Sequence, residues 1–202
     1  MKHAINNHVK DNNHIKEQIM SKTLVIAGHP DYKHSMANRA ILDEFHRLVP
    51  SAEIVYLDVE YPDFNIDVER EQKRLLTADT VVFEFPFWWY SAPSLMRRYF
   101  EQVLSHGFAY GSTGTALHGK KLIISFTAGA PEAAYSTDGY QHYDIDAFIP
   151  QFRALSNLCG FVWQEPIISF GMMLLNPDDE EAAEGFYTKA KDHAVRLQEA
   201  VC

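Results

Sequence analysis

Ser35 and Asn38 stand three residues apart at the start of an amphipathic run, with His29 six residues upstream of the serine. A hydroxyl, a carboxamide and an imidazole beside the free N–H groups of a helix start are donors suited to a phosphate monoester. An ordinary helix capped by Ser35 would explain that serine alone. A second set is Thr127-Ala128-Gly129-Ala130-Pro131. Its small residues let backbone N–H groups approach a ligand and face developing negative charge, although a plain turn with glycine at positive φ explains the same residues. The third set is the aromatic run Phe87-Trp88-Trp89-Tyr90, which lies between Pro86 and Pro93. Adjacent rings cannot all share one face of a helix or strand. Each carries ~150–250 Å², so leaving them all in water would make a patch of roughly 600–1000 Å², beyond what ordinary monomers expose. The core, a second subunit or a planar apolar ligand must cover them.

Other chemistries are excluded or unsupported. No G-x-x-x-x-G-K-[ST] is present and no G-x-G-x-x-G follows the first predicted strand. Lys and Arg number 18 against 27 Asp and Glu, a formal charge of -9. With no basic stripe on any predicted element, nucleic acid is not an expected partner. Cys159 and Cys202 make no disulfide framework, and no Cys/His cluster offers a metal site. A reducing cytoplasm is the simplest setting. No run approaches the ~20 apolar residues of a membrane helix. Residues 1–21 are polar and Asn-rich, with a second methionine, Met20, near their end, and are expected to form a disordered leader to one domain spanning 22–202.

The elements that would carry these three sets alternate between β-prone and helical patterns. Strands are predicted over 23–27, 53–57, 80–85, 121–127 and 161–170. Helices are predicted over 36–48, with Ile41, Leu42 and Phe45 inward, and over 67–77, with Leu75 and Leu76 buried. A clear stripe follows Pro93, a helix over 145–159 must bend or begin anew at Pro150, and a closing helix runs over 178–201 with acids in its first turn. Such alternation predicts an α/β fold with a parallel sheet covered on both faces. For five strands at this length the flavodoxin-like order 2-1-3-4-5 is expected. That order places a ligand crevice at the carboxyl ends of strands one and three, where the phosphate-competent turn and the aromatic run both fall.

Six ordered stretches also carry a resemblance. Ala27-Gly28-His29-Pro30, Ser35-Met36-Ala37-Asn38, 61–67 (YPDFNID), Pro86-Phe87-Trp88-Trp89-Tyr90-Ser91, 105–111 (SHGFAYG) and 115–120 (TALHGK) together resemble the NAD(P)H:quinone oxidoreductase family, the flavodoxin-like relatives of DT-diaphorase. The nearest members are short bacterial ones, including ancillary oxidoreductases of potassium-efflux systems and general stress proteins. FMN is expected rather than FAD, because one closing helix follows the last predicted strand and no further domain is expected to embrace an adenosine. The resemblance places the phosphate-side contacts on His29, Ser35, Met36, Ala37 and Asn38, and the isoalloxazine contacts on Phe87, Trp88, Trp89 and Tyr90. A further flavin loop, Thr-Thr-Gly-Gly in the family, reads Thr127-Ala128-Gly129-Ala130 here. Phe108 and Tyr110 would line the substrate cavity across a homodimer interface. Tyr135 and His142 would be catalytic, with Gln141 nearest by spacing to the family's histidine. The implied activity is two-electron, ping-pong transfer of hydride from NAD(P)H through FMN to quinones or similar acceptors. An alternative implication is a regulatory ancillary subunit of a cation-efflux membrane protein, peripheral at the inner face of the membrane.

Overall fold

A computed structural model describes residues 21–202, so the expected leader lies, but for Ser21, outside the described residues. The strands are β1 (Thr23–Ala27), β2 (Glu53–Tyr56), β3 (Thr80–Pro86), β4 (Lys121–Thr127), β5 (Val162–Trp163) and β6 (Ile167–Ser169). All pairings are parallel, in the order β2-β1-β3-β4-β5, with β6 also on β4. β1 and β3 are buried along their whole length, as strands covered on both faces must be. The fold is flavodoxin-like, as the alternation of elements predicts. The one long final strand expected over 161–170 is instead two short pieces, β5 on the first half of β4 and β6 on the second. Pro166 lies in the break, where a residue without an N–H cannot continue the ladder.

Among the described residues six α-helices cover the sheet: α1 (Ala37–Leu48), the single turn α2 (Leu57–Glu60), α3 (Val68–Thr77), α4 (Ser94–Val103), α5 (Pro150–Cys159) and α6 (Glu180–Val201). One face packs Leu24, Ile26, Val81, Phe83, Phe85 and Phe126 against α3, α4 and α5. The other packs Val25, Ala27, Val82 and Ile123 against α1 and α6. This division is the period-two alternation of each strand expressed in three dimensions. Two local expectations change, at Ser35 and Leu76, and a third, at Pro150, holds. Met36, not Ser35, holds the N-cap of α1, in right-handed helical geometry and without a side-chain cap. The Ser35 hydroxyl donates to Asn38 Oδ1 at 3.4 Å instead. Leu76, expected inside, is 53% exposed, because the buried stripe of α3 runs through Glu71 and Leu75. Pro150 begins α5 after a separate 3-10 turn, the restart its fixed φ and missing N–H favour.

The α1/α6 face is not uniformly apolar. Continuing from Val82, Ile123 and Ile167, the same side of the strands carries Glu84, Ser125 and Ser169, all buried. His193 of α6 bridges the two serines, with Nε2 at 2.8 Å from Ser125 Oγ and Nδ1 at 2.8 Å from Ser169 Oγ. Burial holds this imidazole far below its ordinary range, at about 3, and nearby Arg196 adds to the effect. In the unfolded chain it titrates near 6.5. Unfolding therefore takes up a proton between these values, so the contribution of neutral His193 is complete above pH 6.5 and is lost as pH falls through the window. The stability advantage of the wild type over His193→Gln should shrink by about 1.4 kcal/mol per unit as pH drops below 6.5. Paired urea titrations from pH 7 to 5 read it directly, and a constant gap would contradict a neutral buried imidazole.

Candidate functional site at the β1 and β3 carboxyl ends

β1 ends at Ala27 and β3 at Pro86, and the segments that leave them diverge to opposite faces of the sheet. Between them opens a crevice of about 720 Å³, a size common for small-molecule sites. It is lined from β1 and α1 by His29, His34, Ser35, Met36, Ala37 and Asn38, and from β3 by Pro86 to Tyr90. Thr127, Gly129, Ala130, Tyr135, Gln141 and Met172 to Leu174 complete the wall. No Lys, Arg, Asp or Glu side chain lines it among the described residues.

The α1 end of the crevice is rich in donors. The first bond closing the helix runs from Ala40 N–H to the Met36 carbonyl at 3.1 Å, which leaves the N–H groups of Ala37, Asn38 and Arg39 without an intrahelical acceptor. His29 Nδ1 accepts the Asp31 amide at 3.0 Å. That bond fixes the neutral tautomer with hydrogen on Nε2, and burial shifts the His29 pKa downward, toward the same neutral form. The N–H groups of Gly129 and Ala130 likewise find no acceptor among the described residues. A Cβ on Gly129 would sit 2.9 Å from Met173 Cε, so the glycine keeps this loop slim beneath the methionine.

The aromatic run divides its rings by environment. Phe87 is buried, stacked on Phe126 with centroids 4.8 Å apart. Trp88 is half-exposed and meets the His29 ring edge-on at 5.5 Å. Tyr90 stacks on Phe148 at 5.4 Å and donates its hydroxyl to Gln141 Oε1 at 2.8 Å. Trp89 is 92% exposed. Tyr135 reaches the crevice between Phe87 and Phe170, and burial raises the pKa of its phenol.

Most of the residues singled out from sequence therefore meet in one cavity: His29, Ser35, Met36, Ala37, Asn38, Phe87, Trp88, Trp89, Tyr90, Thr127, Gly129, Ala130 and Tyr135. Four do not. Ala128 is fully buried because its N–H bonds Ser169 and its carbonyl accepts from Met172, which extends the sheet between β4 and β6. His142 is exposed on a left-handed turn beside the crevice, and its neighbour Gln141 lines the wall instead. Phe108 and Tyr110 lie in the segment after α4, packed against the core of the opposite face, away from the crevice of their own chain. Sequence reasoning missed Met172, Met173 and Leu174. Their signal was position alone, directly after the last strand and hence at the same sheet edge.

Comparison with known proteins follows the same lines. A protein-family model described as a flavodoxin-like fold matches residues 21–194. The chain is 38% identical over 160 residues to an uncharacterized NAD(P)H oxidoreductase, YrkL, of Bacillus subtilis, covering 78% of this chain and 90% of that one. Among solved structures, general stress protein 14 of Treponema denticola, in complex with FMN, shares 27% identity at a TM-score of 0.80 over 90% of this chain and 99% of its own. A protein named a thermophilic tryptophan halogenase from Streptomycin violaceusniger shares 37% identity at a TM-score of 0.75, covering 85% and 98%.

Strain is concentrated in the rim of this crevice. Trp89 and Tyr90 both have positive φ, 48° and 62°, in a two-residue turn closed by the Ser91 N–H to Trp88 carbonyl bond of 3.1 Å. Left-handed backbone costs a non-glycine residue roughly 1–2 kcal/mol, and the exposed Trp89 indole recovers little of that by packing. Trp89→Gly should raise stability by about 1 kcal/mol, net of the greater freedom glycine gives the unfolded chain. Trp88→Gly should lower it, since that ring packs on His29. Equal losses of urea midpoint in the two variants would argue against a strained turn.

Proposed function

This chain belongs to the flavodoxin-like NAD(P)H oxidoreductase family, and from that premise we propose that the crevice holds FMN and that the protein reduces quinones or similar flat aromatic acceptors with NAD(P)H. The observation that carries this reading is the set of backbone N–H groups left without acceptors around one cavity, at the start of α1 and at Gly129 and Ala130. Free N–H groups at a helix start and in a loop of small residues present donors to an anion or a ring acceptor. A ligand with a phosphate at one end and ring acceptors at the other would satisfy both groups, and the residues present fit FMN in this sense. FMN is also the ligand carried by the general stress protein 14 relative.

Bound FMN would supply a two-electron hydride acceptor and donor, which side chains lack. The residues of this chain do the rest. His29 Nε2–H, Asn38 and the α1 amides would hold the phosphate, and the Ser35 hydroxyl would join them by turning its one proton away from Asn38 Oδ1. Phe87, Trp88 and Tyr90 would form a flat wall that orients the ring and excludes water, with Gln141 fixing Tyr90 through its hydroxyl. The Gly129 and Ala130 N–H dipoles would favour negative charge on the ring edge they face. Tyr135 keeps the proton on its Oη because burial raises its pKa. With His142 turned to solvent, Tyr135, which lines the crevice, would be the proton donor. Phe108 and Tyr110 can serve as substrate-lining residues only from a second copy, so a homodimer belongs to this proposal. NADH and NADPH are equally compatible with a crevice that, among the described residues, no Lys, Arg, Asp or Glu side chain lines.

Neither the cation-efflux reading nor the halogenation named for one neighbour is favoured by any feature of the crevice. No helix among the described residues is long and apolar enough to cross a membrane.

The test is direct. Protein stripped of ligand and mixed with FMN should take up one flavin per chain, and without oxygen the loaded protein should oxidise one equivalent of NAD(P)H by itself and turn over continuously only when a quinone is supplied. Ser35→Ala should weaken FMN about tenfold, equivalent to about 1.4 kcal/mol, and leave riboflavin, which lacks the phosphate, unaffected. A preparation that binds no FMN would sink the reading. Equal weakening of FMN and riboflavin would move the phosphate away from Ser35.

A further inference from the structure

Glu84 is an acid in the middle of an otherwise apolar strand, Val81-Val82-Phe83-Glu84-Phe85, and it is fully buried. In the sheet it lies between Ala27 of β1, whose small side chain leaves it room, and Ser125 of β4. One carboxyl oxygen, Oε1, accepts from Asn38 Nδ2, and the other, Oε2, has no partner. Asn38 in turn accepts the Ser35 hydroxyl at Oδ1, and both Asn38 and Ser35 line the crevice. A chain of side chains thus runs from beneath the sheet into the turn at the start of α1.

Among the described residues no cation offsets this carboxyl. The titratable groups facing it are Tyr56 of β2 and Tyr32 of the turn after β1, both kept as neutral phenols by burial. Across Ser125, His193 of α6 is neutral as well. Arg196 is engaged with Asp192, Ser169 and the Ile168 carbonyl. Burial pushes the Glu84 carboxyl up to about 8, against a smaller opposing pull from Asn38.

We propose that Glu84 is a positioning residue for the anion-binding turn: as the neutral acid it fixes the Asn38 amide so that the turn accepts a phosphate monoester, and on losing its proton it makes the turn reject one. This rests on the reading of the crevice as an FMN site. A neutral carboxyl adds no charge beneath the turn. A carboxylate there would share a low-dielectric region with a phosphate dianion, and like charges so placed disfavour one another. Linkage makes the effect reciprocal: phosphate binding favours the protonated acid, so above the Glu84 pKa binding takes up a proton.

The experiment measures FMN and riboflavin affinity by flavin fluorescence from pH 7 to 9.5, where the phosphate, with a second pKa of about 6, is already a dianion. For the wild type, FMN affinity should fall about thirtyfold over this range, the value expected when only the protonated form binds. Riboflavin, which shares the ring and its ionisation, should change far less. Glu84→Gln should bind FMN at pH 7 and hold that affinity to pH 9.5. Calorimetry of the unmutated protein at pH 8.5, in two buffers of different ionisation enthalpy, should show proton uptake with FMN and none with riboflavin. The proposal is overturned if wild-type FMN affinity is flat, if Glu84→Gln declines in parallel with the wild type, or if no proton is taken up. Failure of the wild type to bind FMN at pH 7 is a separate result, since it removes the site itself.

Discussion

The hydrogen bond from the Gly28 N–H to the Glu84 carbonyl, 2.8 Å long, is the last rung between β1 and β3. The crevice begins where it ends. Up to that rung the two strands are held in register from Thr23 with Thr80 to Ala27 with Glu84. Beyond it one chain turns toward α1 and the other toward α4, on opposite faces of the sheet, and a gap must open because neither segment can fill it. Gly28 is required at this point by space. A Cβ there would lie 2.9 Å from Met96 Cβ and 2.7 Å from Met96 Cε, so α4 packs directly against bare backbone. The same closeness brings the α1 turn and the aromatic run to facing sides of one cavity.

What lines that cavity follows from where backbone bonding stops. Parallel strands all end on one edge, and each exit segment leaves N–H groups without a ladder partner. At β4 the Ala128 amide is still taken up by Ser169 of β6, and the free donors begin one residue later, at Gly129. At β3 the Phe87 amide still bonds the Thr127 carbonyl, and the chain then turns back sharply through left-handed Trp89 and Tyr90. Backbone pairing therefore ends at a definite residue on each strand, with Pro86 and Thr127 still paired as they line the crevice. It explains why Ala128, in the centre of a loop that sequence alone would treat as one unit, belongs to the core.

Much of this was legible in the sequence because it depends on periodicity and order. The central strands, the sheet order and the meeting of His29, Asn38, Phe87 and Tyr135 follow from alternation and crossover rules. What was not legible depends on side-chain competition. Ser35 reads as an N-cap, yet α1 begins after Met36 and the Ser35 hydroxyl donates to Asn38. Trp88 and Trp89 are indistinguishable by type, and only the turn decides that one packs on His29 and the other points to solvent. Met172 to Leu174 carry no motif. They reach the wall because Pro166 splits the final strand and β6 delivers its exit to the same edge. Glu84, hidden in an apolar run, was the strongest unread signal, since an acid at the centre of a buried strand demands a partner.

The layer beneath the crevice suggests why that acid is tolerated. On the α1/α6 face the fold buries one acid and one base, Glu84 and His193, without pairing them. Burial moves their pKa values in opposite directions, up for the carboxyl and down for the imidazole, and both moves favour the uncharged form. At neutral pH neither the carboxyl nor the imidazole therefore adds charge under the α1 turn, and the Arg196 guanidinium that donates to Ser169 is paired with Asp192. A buried ion pair would have put fixed charges of both signs there. Dipoles without net charge leave the helix N-terminus as the main electrostatic feature of the turn, and its sign favours an anion. The polar layer thus serves the crevice by keeping competing charge out of it.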